Sequence, residues 1–97
     1  MEKLRQFAGG EYYFKIPAHW KCEVRSWSTL FELFEPNFRP ELTFYLDMEE
    51  VSELPSDIFN ILFDLAAAAA KAKVKLLFTG TVPEIEERVS LLVHSSE

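Results

Sequence analysis

Residues 42–62 read LTFYLDMEEVSELPSDIFNIL, and this stretch decides the fold that we expect for the chain. Its first part, residues 42–46, is an apolar run of strand-forming residues without strict alternation, which is typical of a strand covered on both faces. A short polar link follows Asp47 and leads through Pro55 into a helical pattern that starts near Ser56. The stretch therefore predicts a central strand followed by a helix, with Ser56 where the two connect.

The start of this helix is where we expect any function of the chain to lie. The first N–H groups of a helix have no partner within the helix, so they can hold a side-chain oxygen or an anion. Ser56 then has two interpretations. It is a phosphoacceptor whose added charge, about −1.5 to −2, changes a docking surface, or it is a helix N-cap. Asp57 could equally be the cap.

Phe59 and Phe63 lie four residues apart on the predicted helix, about 100° or more around its axis from the apolar stripe that faces the core. A helix with two apolar faces is either deeply buried or half-exposed as a surface for a partner. Two arrangements stay open. Pro55, Asp57, Phe59 and Phe63 form a partner-binding surface beside Ser56, or Phe63 packs under the first or third helix.

The composition predicts one domain, residues 1–97, large enough to form a hydrophobic core without disulfides or metals. Sixteen acidic and ten basic residues give a formal charge of −6. This charge disfavours a nucleic-acid partner or an anionic membrane surface, because binding phosphates needs a basic face. Cys22 is the single cysteine, and neither a signal-like start nor an apolar run of about 20 residues is present. We expect a cytoplasmic protein without membrane insertion.

The rest of the chain supplies three more strands and two more helices. Two strand-like runs around Gly9 and Gly10 predict a β-hairpin, and apolar residues at helical spacing in residues 23–35 predict a first helix. Residues 74–80 have a strand pattern, and Pro83 starts a third helix. The apolar stripe of that helix comprises Ile85, Val89, Leu92 and Val93. The predicted fold is α/β, with a largely parallel four-stranded sheet, about three helices and the order β-β-α-β-α-β-α.

Four carboxylates, those of Asp47, Glu49, Glu50 and Glu53, follow the central strand closely. Paired carboxylates can carry out acid–base chemistry, but an acidic cluster on a loop is typically a solvated rim, and we interpret it so. The sequence shows no catalytic set, no cluster of metal ligands and no Gly-rich phosphate loop. We therefore expect neither an enzyme nor a bound cofactor.

The second half of the chain resembles the STAS domain, the family of sulfate transporter and anti-sigma factor antagonist domains. The residues that carry the resemblance are a strand ending in Leu46 and Asp47, then Val51, then Ser56 opening an Ala-rich helix over residues 57–72, a strand over residues 74–80 and a Pro-started helix over residues 83–92. The resemblance implies a single STAS-like domain over residues 1–97.

The resemblance also implies a regulatory function at Ser56. In phosphorylatable members, the serine that opens this helix accepts phosphate from an anti-sigma factor that is itself a kinase, and the unphosphorylated domain sequesters that partner. Ser56 falls on this serine, whereas Pro55, Asp57 and Ile58 replace an acidic, a hydroxyl-bearing and a small residue of the family.

The implied function is a non-enzymatic signalling domain that binds an anti-sigma factor or a kinase-like regulatory protein and is switched by phosphorylation of Ser56. The alternative is a constitutive STAS-like accessory subunit bound to a transporter ATPase, which Pro55 and Ile58 favour. The sequence leaves the oligomeric state open.

Overall fold

The secondary structure begins with two strands, and helices and strands then alternate. The computed structural model describes the backbone of residues 4–95 and the side chains of residues 4–92. Its elements are β1 (Arg5–Phe7), β2 (Glu11–Lys15), α1 (Val24–Phe34), β3 (Thr43–Asp47), α2 (Ser56–Lys71), β4 (Lys75–Thr79) and α3 (Pro83–Ser95). Two short 3-10 turns, Ala18–Trp20 and Glu35–Asn37, flank α1. Within residues 4–95, the order β-β-α-β-α-β-α is the one that the sequence predicted.

β1 and β2 form the predicted hairpin around Gly9 and Gly10. The two strands pair antiparallel, with Arg5 opposite Tyr13. Both glycines have a positive φ, 81° at Gly9 and 75° at Gly10. Residues with a Cβ are strained in this region, whereas glycine adopts it freely. The Gly-Gly pair therefore determines where the hairpin turns.

The four strands form one mixed sheet in the order β1-β2-β3-β4. β3 lies parallel to β2 on one side and to β4 on the other. Parallel neighbours need a crossover connection, and α1 and α2 supply the two that this sheet requires. The largely parallel sheet predicted from the alternation of strands and helices is confirmed.

The hydrophobic core lies between one face of the sheet and the three helices, where it joins alternate strand residues to the apolar stripes of the helices. The largest fully buried side chains are Phe14, Ile16, Trp27, Leu30, Phe34, Phe44, Leu46, Met48, Ile58, Leu62, Leu65 and Leu92. The Phe34 ring centroid lies 5.2 Å from that of Phe44 and 6.1 Å from that of Phe14. Rings at these separations add packing energy beyond the burial of area, so they fix α1 on the sheet.

β3 is buried on one face only. Phe44 and Leu46 are fully buried, whereas Thr43 and Tyr45 point to the opposite face and are partly exposed. The prediction of a strand covered on both faces is therefore wrong. The apolar run was misleading because a tyrosine can lie on an open face when its hydroxyl has a partner. The Tyr45 hydroxyl donates to the Glu11 carboxylate over 3.1 Å.

The third helix confirms its predicted apolar stripe as far as the structure describes it. Ile85, Val89 and Leu92 are buried, and the side chain of Val93 lies outside the described residues. In residues 4–95, none of the helices has the length and apolar character that crossing a bilayer requires.

Candidate functional site

The loop between β3 and α2 positions the candidate site. The N–H of Met48 donates to the Thr79 carbonyl over 2.7 Å, and the N–H of Val51 donates to the Met48 carbonyl over 3.0 Å. Val51 and Leu54 are buried in the core. These contacts anchor both halves of the loop, so Pro55 and the start of α2 occupy a defined place on the surface.

Asp47, at the end of β3, is buried and does not belong to a solvated rim. Its Oδ1 accepts a hydrogen bond from the N–H of Glu49 over 2.9 Å, and its Oδ2 accepts one from the Tyr13 hydroxyl. The pKa of Tyr13 is raised, because its proton bonds the carboxylate and its loss would place two negative charges together. The predicted rim is wrong for Asp47, whereas Glu49, Glu50 and Glu53 are exposed.

Gly80, just after β4, leaves the space that Asp47 occupies. A Cβ at this position would lie 2.9 Å from Oδ1 of Asp47 and 3.2 Å from the backbone nitrogen of Glu49. The φ of Gly80 is 67°, which residues with a Cβ adopt only under strain. Glycine is therefore needed here for two reasons, the backbone conformation and the close approach of a buried carboxylate.

α2 begins at Ser56, and Pro55 rather than Ser56 occupies the N-cap position. Pro55 has an extended backbone, and its carbonyl accepts from the N–H of Phe59 over 2.8 Å. The Asp57 carboxylate accepts from the N–H of Ile58 over 2.9 Å. The interpretation of Ser56 as an N-cap is thus wrong. Ser56 is exposed, and among residues 4–92, whose side chains are described, its hydroxyl has no hydrogen-bond partner.

Ser56, Phe59 and Phe63 lie on one side of α2, because residues three, four and seven apart share a helix face. Phe63 is 49% exposed, so the alternative in which it packs under another helix is wrong. Phe59 is partly buried at the border of the core. Ile58 is fully buried, so its side chain belongs to the core and not to this surface.

Arg88 of α3 completes this surface. Its guanidinium lies 4.8 Å from the Phe59 ring centroid and donates a hydrogen bond to the Leu54 carbonyl. We refer to Ser56, Phe59, Phe63 and Arg88 as the α2 surface. Sequence reasoning missed Arg88 because it lies far from α2 in the chain, and a helical pattern does not tell which neighbour an exposed residue contacts.

A cleft of about 800 Å³ beside β2 was also not predicted from the sequence. Its lining includes Tyr13, Lys15, His19 and Glu50. The Lys15 ammonium lies 3.4 Å from the Glu49 carboxylate and 3.6 Å from that of Glu50, and the bond to Glu49 raises the pKa of Lys15. The charge of Lys15 is thus compensated within the protein. No His, Cys, Asp or Glu cluster in the described part of the chain could hold a metal ion.

Comparison with known proteins identifies no family for this chain. No model of a protein family matches the chain, and no curated protein matches it. The α2 surface therefore has to be interpreted from its own residues.

Proposed function

We propose that the chain is a cytoplasmic, non-enzymatic regulatory domain of the STAS type that binds a partner protein through the α2 surface and is switched at Ser56. The observation that carries the proposal is the position of Ser56, the exposed first residue of α2 on the same side as the half-exposed Phe63. The mixed four-stranded sheet and the order of its elements are consistent with such a domain. The partner class is an anti-sigma factor or a kinase-like regulatory protein.

Phe63 is the expected anchor for the partner. Exposed aromatic side chains contribute disproportionately to binding energy, and removing one at the centre of an interface typically costs more than about 1 kcal/mol. We expect Phe63→Ala to weaken binding about fivefold or more. Leu91→Ala is the matched control, because Leu91 is an apolar side chain of α3 that is 63% exposed and lies outside the α2 surface.

Phosphorylation of Ser56 would change the charge of the α2 surface. A phosphate adds about −1.5 to −2 charges and three acceptor oxygens, and a helix N-terminus favours such a group. Arg88 is held beside this turn by Leu54 and Phe59, which flank Ser56 in the chain. A phosphate that draws the guanidinium away from the Phe59 ring would rearrange the apolar part of the surface. Partner binding would then depend on the modification.

A constitutive accessory subunit of a transporter ATPase is the second candidate function. One observation favours it: the Asp57 carboxylate already accepts from the N–H of Ile58 in the first turn of α2. A phosphate on Ser56 would compete with that carboxylate for the same helix start and would be repelled by it. In this case the α2 surface would bind its partner without modification.

Intact mass after incubation with ATP and an extract of the source cells tests the switch directly. We expect wild type and Ser52→Ala to gain one phosphate and Ser56→Ala to gain none. Ser52 is a suitable control because it is an exposed serine of the preceding loop.

Binding to the partner recovered from that extract separates the two functions. The proposed switch predicts that Ser56→Asp abolishes binding, whereas Ser56→Ala retains it. Equal binding by both variants, without phosphate uptake, would reject the switch and support the constitutive subunit. Recovery of the same partner by Phe63→Ala at undiminished affinity would reject the α2 surface in either function.

A further inference from the structure

The sheet has a second face that the helices leave open. β2, β3 and β4 run parallel, and parallel sheets almost always have both faces covered. Here the buried strand residues and the helices form one core on a single face. We refer to the opposite face as the outer face, which carries Glu11, Tyr13, Thr43, Tyr45, Lys75 and Leu77, all partly or fully exposed.

The middle of the outer face is apolar. Tyr13, Tyr45 and Leu77 are direct neighbours across β2, β3 and β4, so they form one row along the hydrogen-bonding direction. On β1, Arg5 lies opposite Tyr13, and the Phe7 ring reaches Tyr13 diagonally, edge-on with the ring centroids 6.2 Å apart. Phe7 is 50% exposed. Exposed aromatic side chains grouped in this way are typical of a surface that becomes covered by a protein.

The neighbouring row carries opposite charges placed symmetrically about β3. Glu11, Thr43 and Lys75 are paired across the three strands, so Glu11 and Lys75 each lie one strand from Thr43. The Tyr45 hydroxyl donates to the Glu11 carboxylate over 3.1 Å and directs it toward β3. Among the described side chains of residues 4–92, the Lys75 ammonium has no ion-pair partner, whereas the Lys15 ammonium lies near two carboxylates.

We propose that the outer face binds a second copy of this chain, with a two-fold axis along β3. Rotation about this axis places β2 of one copy over β4 of the other. Glu11 then lies over Lys75 of the second copy, Lys75 over its Glu11, and Tyr13 over Leu77, while Tyr45 lies on the axis. Each contact away from the axis occurs twice, as a two-fold interface requires. Packed sheets rotate by about 30° relative to each other, which shifts the charged pair by a distance that a lysine side chain spans.

The size of the outer face predicts a dimer of modest affinity. The axis along β3 superposes three strands of each copy, and three strands about 4.8 Å apart with five residues of about 3.3 Å each overlap over roughly 14 by 17 Å. Two such patches cover roughly 500 Å² in projection, which is below the about 1,200 Å² of stable specific interfaces and typical of weak, reversible association. The α2 surface lies beyond the core on the other side of the sheet, so the dimer leaves both copies of it accessible.

Charge reversal tests the dimer and its axis together. In sedimentation equilibrium from about 10 to about 300 µM, we expect wild type to associate reversibly. Glu11→Lys and Lys75→Glu each bring like charges together, so each variant alone should associate at least tenfold more weakly in about 50 mM salt. An equal mixture of the two variants restores both opposite-charge pairs and should dimerise again as a heterodimer, which native mass spectrometry identifies by mass. Glu84→Lys, on exposed α3, is the control and should dimerise like wild type.

Cross-linking gives a readout that does not depend on charge. Thr43 lies on the axis, and packed sheets are about 10 Å apart, too far for a disulfide but within reach of a short bis-maleimide. In a Cys22→Ser background, Thr43→Cys should form cross-linked dimers and Glu84→Cys should not. A wild type that stays monomeric at about 300 µM overturns the proposal. A monomeric mixture of two folded variants, or a Lys75→Glu variant that dimerises like wild type, also overturns it.

Discussion

Replacing Gly80 by alanine tests the packing around Asp47, the buried carboxylate at the end of β3. The new Cβ would lie 2.9 Å from Oδ1 of Asp47 and 3.2 Å from the nitrogen of Glu49. The backbone φ of 67° is itself unfavourable for alanine. Two separate penalties therefore act at this position, one from the backbone conformation and one from the contact.

The magnitude follows from these two penalties. A left-handed conformation costs a residue with a Cβ about 1–2 kcal/mol. Displacing Asp47 weakens its hydrogen bonds with Tyr13 and Glu49, and a hydrogen bond to a charged group contributes about 1.5–3 kcal/mol. We expect Gly80→Ala to lower the free energy of unfolding by about 3 kcal/mol, which for a domain of this size lowers Tm by about 12–24 °C.

Gly9→Ala is the matched control, because Gly9 has a φ of 81° and a Cβ there would meet nothing within 4 Å. It carries the backbone penalty alone, so we expect a loss of about 1 kcal/mol and a fall in Tm of about 4–8 °C. Urea unfolding followed by circular dichroism measures both variants. Equal losses at Gly80 and Gly9 would refute the reasoning, because the contact with Asp47 would then contribute nothing.

Three further predictions concern stability. Hydrogen bonds to Asp47 and Glu11 raise the pKa of Tyr13 and of Tyr45 above the ordinary 10.0. The stabilisation from these two hydrogen bonds is therefore complete below pH 10 and is lost as the pH rises through the raised pKa values. Denaturant unfolding between about pH 8 and 11 should show this loss, and a double Tyr13→Phe, Tyr45→Phe variant that keeps the full alkaline decline would contradict it. Arg88→Ala should lower the free energy of unfolding by about 1 kcal/mol, because it removes the contacts of Arg88 with Phe59 and Leu54. Glu87→Ala is the control, and an equal loss of unfolding free energy in both variants would show that Arg88 does not join α3 to α2. Leu65→Ala should cost about 2–5 kcal/mol because Leu65 is fully buried, whereas a loss no larger than that of exposed Leu91→Ala would contradict its place in the core.

Features that depend on neighbouring residues were predictable from the sequence. The hairpin turn follows from Gly9 and Gly10, because only glycine adopts their backbone conformation without strain. The start of α3 at Pro83 and the burial of Ile85 and Val89 follow from helix geometry. Residues a few positions apart decide each of these features, so a local pattern contains the necessary information.

Features that depend on contacts between distant residues were not predictable. Asp47 is buried because the parallel register places Tyr13 of β2 near it, and the two residues are 34 positions apart. Arg88 and Leu54 are separated by the same number of positions. Periodicity gives the direction in which a side chain points relative to its own element, but it does not give the residue that it meets on another element. The prediction that Asp47 belongs to a solvated acidic rim was wrong for this reason.

The one-sided sheet follows from the order of its strands. β2, β3 and β4 are consecutive both in the chain and in the sheet. Crossovers between parallel strands have one handedness, so two crossovers that proceed in the same direction along the sheet place their helices on the same face. No substitution within α1 or α2 would cover the other face without changing this order. The outer face is therefore in contact with water in the monomer and with protein in the proposed dimer. Tyr45 suits both environments, since its ring is apolar and its hydroxyl is bonded to Glu11.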